Sequence, residues 1–161
     1  MTDRISARIV YGDLVYEVSG SAEEVIKSVL KWMSTVIPSF DLFRSLSVDI
    51  DYVRLSESLS KYVMISGEGD IIFKEEPPKK LSLGNRVLIA LGVAKLSNVA
   101  GRRDAPSLTL RELTVILGKP SKTISSRLSE LHYDGYVRRI KVGGTVHYEI
   151  TVKGLLKLMN I

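Results

Sequence analysis

Residues 108–150 read LTLRELTVILGKPSKTISSRLSELHYDGYVRRIKVGGTVHYEI, and the spacing of their apolar residues changes character along the way. Thr109-Leu110-Arg111-Glu112 has the S/T-x-x-E form of a capping box, in which the Thr109 hydroxyl accepts from the Glu112 amide and the Glu112 carboxylate accepts from the Thr109 amide. This predicts a helix from about Leu110. Leu110, Leu113 and Leu117 make its apolar stripe, and Gly118 supplies the left-handed conformation of a C-cap. Pro120 cannot continue that helix, and Ser121 is expected to cap a second one whose Ile124, Leu128 and Leu131 again share a face. After Gly135 the period becomes two. Ile140, Val142, Val146, Tyr148 and Ile150 read as the packed face of a hairpin, with Arg139, Lys141, Thr145, His147 and Glu149 on the wet face and Gly143-Gly144 as the turn.

At about 100° per residue, Lys122, Ser126, Ser129 and Tyr133 fall opposite the apolar stripe of the second helix, with Thr123 and Ser125 on the flanks and Arg127 near the edge. Small hydroxyls and a cation suit a DNA major groove, where they bond base edges and phosphates, although a solvated helix face has the same composition. Arg138, Arg139 and Lys141 load the first strand of the hairpin with positive charge, as a strand lying along a phosphate backbone would require.

The run TISSRLSELHYDGYVRRI followed by YEITVKG resembles the recognition helix, wing and T-x-x-G turn of winged helix-turn-helix regulators such as the arsenical-resistance and multiple-antibiotic-resistance repressors. The resemblance covers residues 81–161. It implies that Lys122, Thr123, Ser125, Ser126 and Arg127 face the groove and that Arg139 and Lys141 reach the backbone beside it. The metal-sensing members are not matched, because the chain has no Cys and its two His, His132 and His147, sit in different elements. The N-terminal half is also similar, more loosely, to the strand arrangement of archaeal regulator-like proteins.

Composition narrows the alternatives. The 161 residues are 45% hydrophobic, enough for a core, and Cys is absent, which removes disulfides, thiol catalysis and Cys-based zinc sites together. Gln is absent and Asn occurs three times, a pattern that suits a thermophilic source. The start of the chain lacks the apolar stretch of a secretory signal and no run of 18 apolar residues occurs, so a soluble cytoplasmic protein is expected, with no membrane partner. Residues 1–78 carry 8 Lys and Arg against 13 Asp and Glu, while residues 79–161 carry 15 against 5. An anionic partner should therefore meet the C-terminal part.

The remaining segments follow from the same rules. Arg4 to Val10 and Leu14 to Ser19 predict a hairpin, and the capping box Ser21 to Glu24 opens a helix ending before Pro38, with Trp32 in its core. Residues 39–48 are ambiguous. A helix with Tyr52, Leu55, Leu59 and Tyr62 follows, then a hairpin of 63–66 and 71–74, giving an N-terminal ββααββ order. Asp49 and Asp51 alternate without a third ligand and read as a solvated edge. Lys74 to Lys80, with Pro77-Pro78 at its centre, is read as the linker. After it come a helix of about 83–99, a polar loop whose Arg102 and Arg103 add charge near the motif, a short strand at Ser107-Leu108, and a last helix from Val152 that either packs back or joins two copies.

The expected protein is therefore α+β. An acidic domain of 1–76 serves dimerisation or effector binding, and a winged helix-turn-helix domain of 77–161 binds double-stranded DNA as a homodimer. A winged helix used only for protein contacts in a transcription or replication assembly is the competing reading, and the outer helix face separates the two, since a protein anchor should be apolar or aromatic. No nucleotide loop, metal set or nucleophile–base pair points to an enzyme, and no cofactor is expected.

Overall fold

The computed structural model describes residues 4–37, 39–40 and 49–161. The fold is mixed α+β with small antiparallel sheets, and the chain divides into two compact units, residues 1–48 and 49–161.

In the first unit, β1 (Ile5–Tyr11) and β2 (Leu14–Gly20) form the expected hairpin, with Tyr11 opposite Leu14 across a two-residue turn. The α1 helix (Ala22–Val36) opens on the expected capping box: the Glu24 carboxylate accepts from the Ser21 amide at 2.9 Å, and the Ser21 hydroxyl accepts from the Glu24 amide at 3.3 Å. The Ser21 amide and then its hydroxyl hold the Glu24 pKa below the usual carboxylate value. Trp32 is half-buried and stacks on Tyr16, with ring centroids 5.2 Å apart. Val25 is the only core side chain among the described residues of this unit. Residues 41–48, most of the ambiguous stretch, lie outside the described residues.

The second unit begins with α2 (Tyr52–Ser60), capped by Asp51, whose carboxylate accepts from the Arg54 amide at 2.9 Å. Asp51 thus has a capping role rather than that of a solvated edge. The hairpin β3 (Val63–Ile65) and β4 (Ile71–Phe73) follows. Next comes α3 (Leu83–Val99), every residue of which from Val87 to Ala94 is buried. A helix apolar all round belongs at the centre of a core, and α3 packs against α2, against α4 (Leu110–Leu117) and α5 (Ser121–Tyr133), against β7 (Thr145–Ile150), and against α6 (Val152–Leu158). The short β5 (Leu108–Thr109) pairs with β7, and β7 pairs with β6 (Val137–Val142), so the sheet order is β5-β7-β6. Helix, short strand, two helices and hairpin, in that order, make a winged helix-turn-helix.

The boundary expected at residues 76/77 is not where the chain divides. Leu55, Leu59, Tyr62, Val63 and Ile71, all before the prolines, share one buried cluster with α3, α4, α5 and α6. Arg86 of α3 lies over the Phe73 ring at 4.7 Å, and the Lys74 amide donates to the Tyr62 carbonyl. Residues 74–80 cross the outside of a single core, and their composition reports exposure alone. The last helix packs back: Leu155 and Leu158 are buried against α3 and α2. Gly154 is required there, because a Cβ would collide with the Tyr136 carbonyl, and the Thr151 hydroxyl caps α6 through the Gly154 amide while donating to the Gly135 carbonyl at 2.7 Å.

Candidate nucleic-acid interface

The helix pair forms as its sequence requires. The Thr109 capping box is complete, Gly118 closes α4 at φ +59°, and three residues separate the helices. Ile124, Leu128 and Leu131 bury one face of α5, which leaves Lys122, Thr123, Ser126, Arg127 and Ser129 exposed and Ser125 half-buried. Lys122, Ser126 and Ser129 line up at i, i+4, i+7 as one stripe. At its far end Tyr133 is 92% exposed.

Ser121 does not cap α5. Pro120 occupies the N-cap with no side-chain bond, and the Ser121 hydroxyl sits 3.3 Å from that of Thr114, tying α5 to α4. The Pro120 carbonyl takes the Thr123 and Ile124 amides. The amides of Ser121 and Lys122 have no partner among the described residues, and together with the positive end of the helix they suit an anion. Lys119, exposed in the turn just before them, extends that positive surface. Sequence reasoning missed it because turn lysines are common, although its position three residues before Lys122 was the available signal.

The wing differs from expectation in which side faces inward. The two-residue turn at Gly143-Gly144, with φ of +57° and +84°, pairs Val142 with Thr145, Ile140 with His147 and Arg139 with Tyr148. One face therefore carries Val137, Arg139, Lys141, Val146, Tyr148 and Ile150, and the other Arg138, Ile140, Val142, Thr145, His147 and Glu149. The expected face set, with Ile140 beside Tyr148, is corrected by this register. Arg139 and Lys141 share a face with the buried Tyr148 and Ile150, and Arg139 donates to the Ser129 hydroxyl of α5 at 2.9 Å. The wing thus stands alongside the Lys122–Ser126–Ser129 stripe, with Lys141 two residues nearer the tip.

Glu149, expected on the wet face, is 3% exposed. Its two oxygens are claimed by Lys95 of α3 at 3.1 Å and by Arg138, whose Nη2 is at 2.7 Å and Nε at 3.1 Å. Burial raises its pKa, but the hydrogen bonds and charges of Arg138 and Lys95 together outweigh burial, and the net pKa is lowered. Arg138 is therefore a structural cation, committed to a buried carboxylate. Arg103 is committed likewise, to Glu112 at 2.6 Å. Burial raises the Glu112 pKa, but the hydrogen bonds of Thr109 and the hydrogen bond and charge of Arg103 together outweigh it, leaving a net lowering. Arg127 pairs with Glu130 at 2.5 Å, both about half exposed.

The eight residues singled out from the sequence thus separate into groups. Lys122, Thr123 and Ser126 lie open on α5, and Lys141 lies open on the wing. Arg127 and Arg139 are exposed but engaged, Ser125 is half-buried, and Arg138 is tied to the core. His132 Nδ1 donates to the Val137 carbonyl at 2.9 Å, and His147 Nδ1 lies 3.3 Å from the Ser107 hydroxyl. Among the described residues no group of three or more His, Cys, Asp or Glu could hold a metal ion, and no helix is long and apolar enough to cross a membrane. No protein-family model, curated protein or solved structure matches the chain.

Proposed function

We propose that the chain is a sequence-specific, double-stranded-DNA-binding transcription regulator of the cytoplasm, with α5 in the major groove and the wing on the flanking backbone. The observation that carries this reading is the Lys122–Ser126–Ser129 stripe, exposed, free of large apolar groups until Tyr133, and bridged by Arg139 to the wing. Thr123, Ser126 and Arg127 are suited to base edges, since hydroxyls and guanidinium match their donors and acceptors. Lys119, Lys122, the open amides at the start of α5 and Lys141 are suited to phosphates.

Binding as a homodimer completes the reading, because paired recognition helices read half-sites about one helical turn apart. The first unit supports pairing. It leaves Val10, Tyr11, Leu14, Val15 and Ile26 largely exposed, and large apolar groups held in water on a hairpin and helix suit a partner surface. The second reading, a module for protein contacts, rests on Tyr133, an exposed aromatic of the kind that anchors interfaces.

Selection of bound sequences from random duplexes, followed by affinity against salt on the winner, tests both. The expected winner is a palindrome whose log K falls with log salt by about 0.9 per phosphate contact. A pool that never enriches would overturn the DNA reading and leave the protein-contact one.

A further inference from the structure

A groove in the second unit, between α2, the β3–β4 hairpin and the C-terminal half of α3, takes no part in the interface above. Its volume is about 690 Å³, inside the range of roughly 300–1,000 Å³ usual for small-molecule sites. Tyr52, Leu59, Val63, Met64, Val93 and Leu96 form its walls. The Ser56 and Ser60 hydroxyls on the α2 side are spent on the carbonyls of Val53 and Glu57, each at 2.8 Å, so that wall makes no polar demand on an occupant. At the mouth Val53 is 70% and Val99 54% exposed, large apolar groups held in water at a concave surface.

The charges at this groove are of one sign. Lys74 and Arg102 line it, and no carboxylate does among the described residues. The Lys74 ammonium donates to the Ser60 carbonyl at 2.6 Å, which fixes it at the C-terminal end of α2 with further donors to spare. The Arg102 amide is held by the Ser97 carbonyl at 2.8 Å, while its guanidinium has no hydrogen-bond or ion-pair partner among the described residues.

We propose that this groove binds a small amphipathic anion, an acyl chain ending in a carboxylate, with the chain along the apolar walls and the head on Arg102 and Lys74. The guanidinium fork matches a carboxylate in two parallel bonds. A second copy of the chain is a poorer occupant. A two-fold contact sets the same patch against itself, and here that brings Lys74 and Arg102 of one protomer towards those of the other across an apolar seam. The inference does not rest on the DNA reading: a chain that bound no duplex would still take up the anion.

Calorimetric titration of the full chain with dodecanoate below its micellar concentration tests it, with dodecan-1-ol as the uncharged control. One equivalent of dodecanoate should bind, and the alcohol should bind at least about tenfold more weakly, as should dodecanoate to Arg102→Glu. Ser56→Trp, which puts an indole into the groove from an exposed position, should abolish binding, and unchanged thermal unfolding of both variants would separate these losses from misfolding. Absence of dodecanoate binding, equal binding of the alcohol, or an unaltered Arg102→Glu variant would overturn the proposal. So would a sedimenting dimer that Ser56→Trp converts to monomer, since the groove would then be covered by a second copy.

Discussion

The outer face of α5 and the first strand of the wing look alike in sequence, each a short run of polar and cationic residues, yet their charges go to different places. On α5, Lys122 has no partner among the described residues and Arg127 is held only by Glu130, a pair about half exposed at both ends. On β6, Arg138 is committed to a carboxylate with 4% side-chain exposure, Arg139 to the Ser129 hydroxyl, and Lys141 to no described residue. An exposed ion pair is worth about 0–1 kcal/mol, so Arg127 can exchange Glu130 for a phosphate or a base at little cost. Arg138 cannot leave so cheaply, because Glu149 would keep a buried charge with Lys95 alone beside it. Whether a cation is available to a partner is decided by the burial of what it already holds.

The sharpest break of that comparison is Glu149→Gln, which keeps the shape and removes the charge that ties the wing to α3. Loss of about 1–3 kcal/mol in denaturant unfolding near pH 7 is expected, less than a fully buried broken pair costs because Arg138 is 61% exposed and can be rehydrated. Acid should close the gap. The Glu149 pKa is lower in the fold than its ordinary 4.5, so its contribution is fully present above about that value and is lost as pH falls through the depressed one. Parallel stability curves for wild type and Glu149→Gln down to strong acid would show that the triad contributes nothing to the tie.

Much of the motif was legible in the chain because its signals are local. The Thr109 capping box, Gly118, the Gly143-Gly144 turn and the stripe of Ile124, Leu128 and Leu131 each act within a few residues, and the helices and hairpin stand where those signals put them. What was not legible depends on register and on distant partners. A two-residue turn sets Ile140 against His147, which the alternation of each strand alone does not reveal, and Glu149 is buried because Lys95, 54 positions earlier, reaches it. The linker was misjudged for the same reason: Pro77-Pro78 is a local signal for extended, wet backbone, whereas membership of a core is decided by Leu55 and Tyr62 meeting α3.

The comparison can also be sharpened on the ligand side. If the DNA reading holds, Lys122→Ala and Lys141→Ala should each flatten the slope of log K against log salt by about 0.9, the loss of one phosphate contact. Arg138→Ala should lower stability while leaving that slope unchanged, since its guanidinium is spent on Glu149. A slope flattened equally by Arg138→Ala would mean that phosphate displaces the buried carboxylate, and the distinction between committed and free cations would fall.

The smallest effect belongs to a side-chain bond between the two regions, from Arg139 to the Ser129 hydroxyl at 2.9 Å. Both residues are exposed, so water replaces the lost partner when Ser129 becomes Ala, and unfolding should shift by less than about 0.5 kcal/mol. Its weakness makes it informative about geometry. A freed Arg139 lies on the same strand face as Lys141 and can reach for backbone phosphate, so DNA affinity in Ser129→Ala should stay level or rise by less than about tenfold, with a slightly steeper salt slope. Tighter binding with an unchanged slope would take Arg139 away from the phosphates. A loss of more than about tenfold at constant slope would instead make this bond the element that holds the wing at the angle the duplex requires, since the affinity would have fallen without any change in the number of ionic contacts.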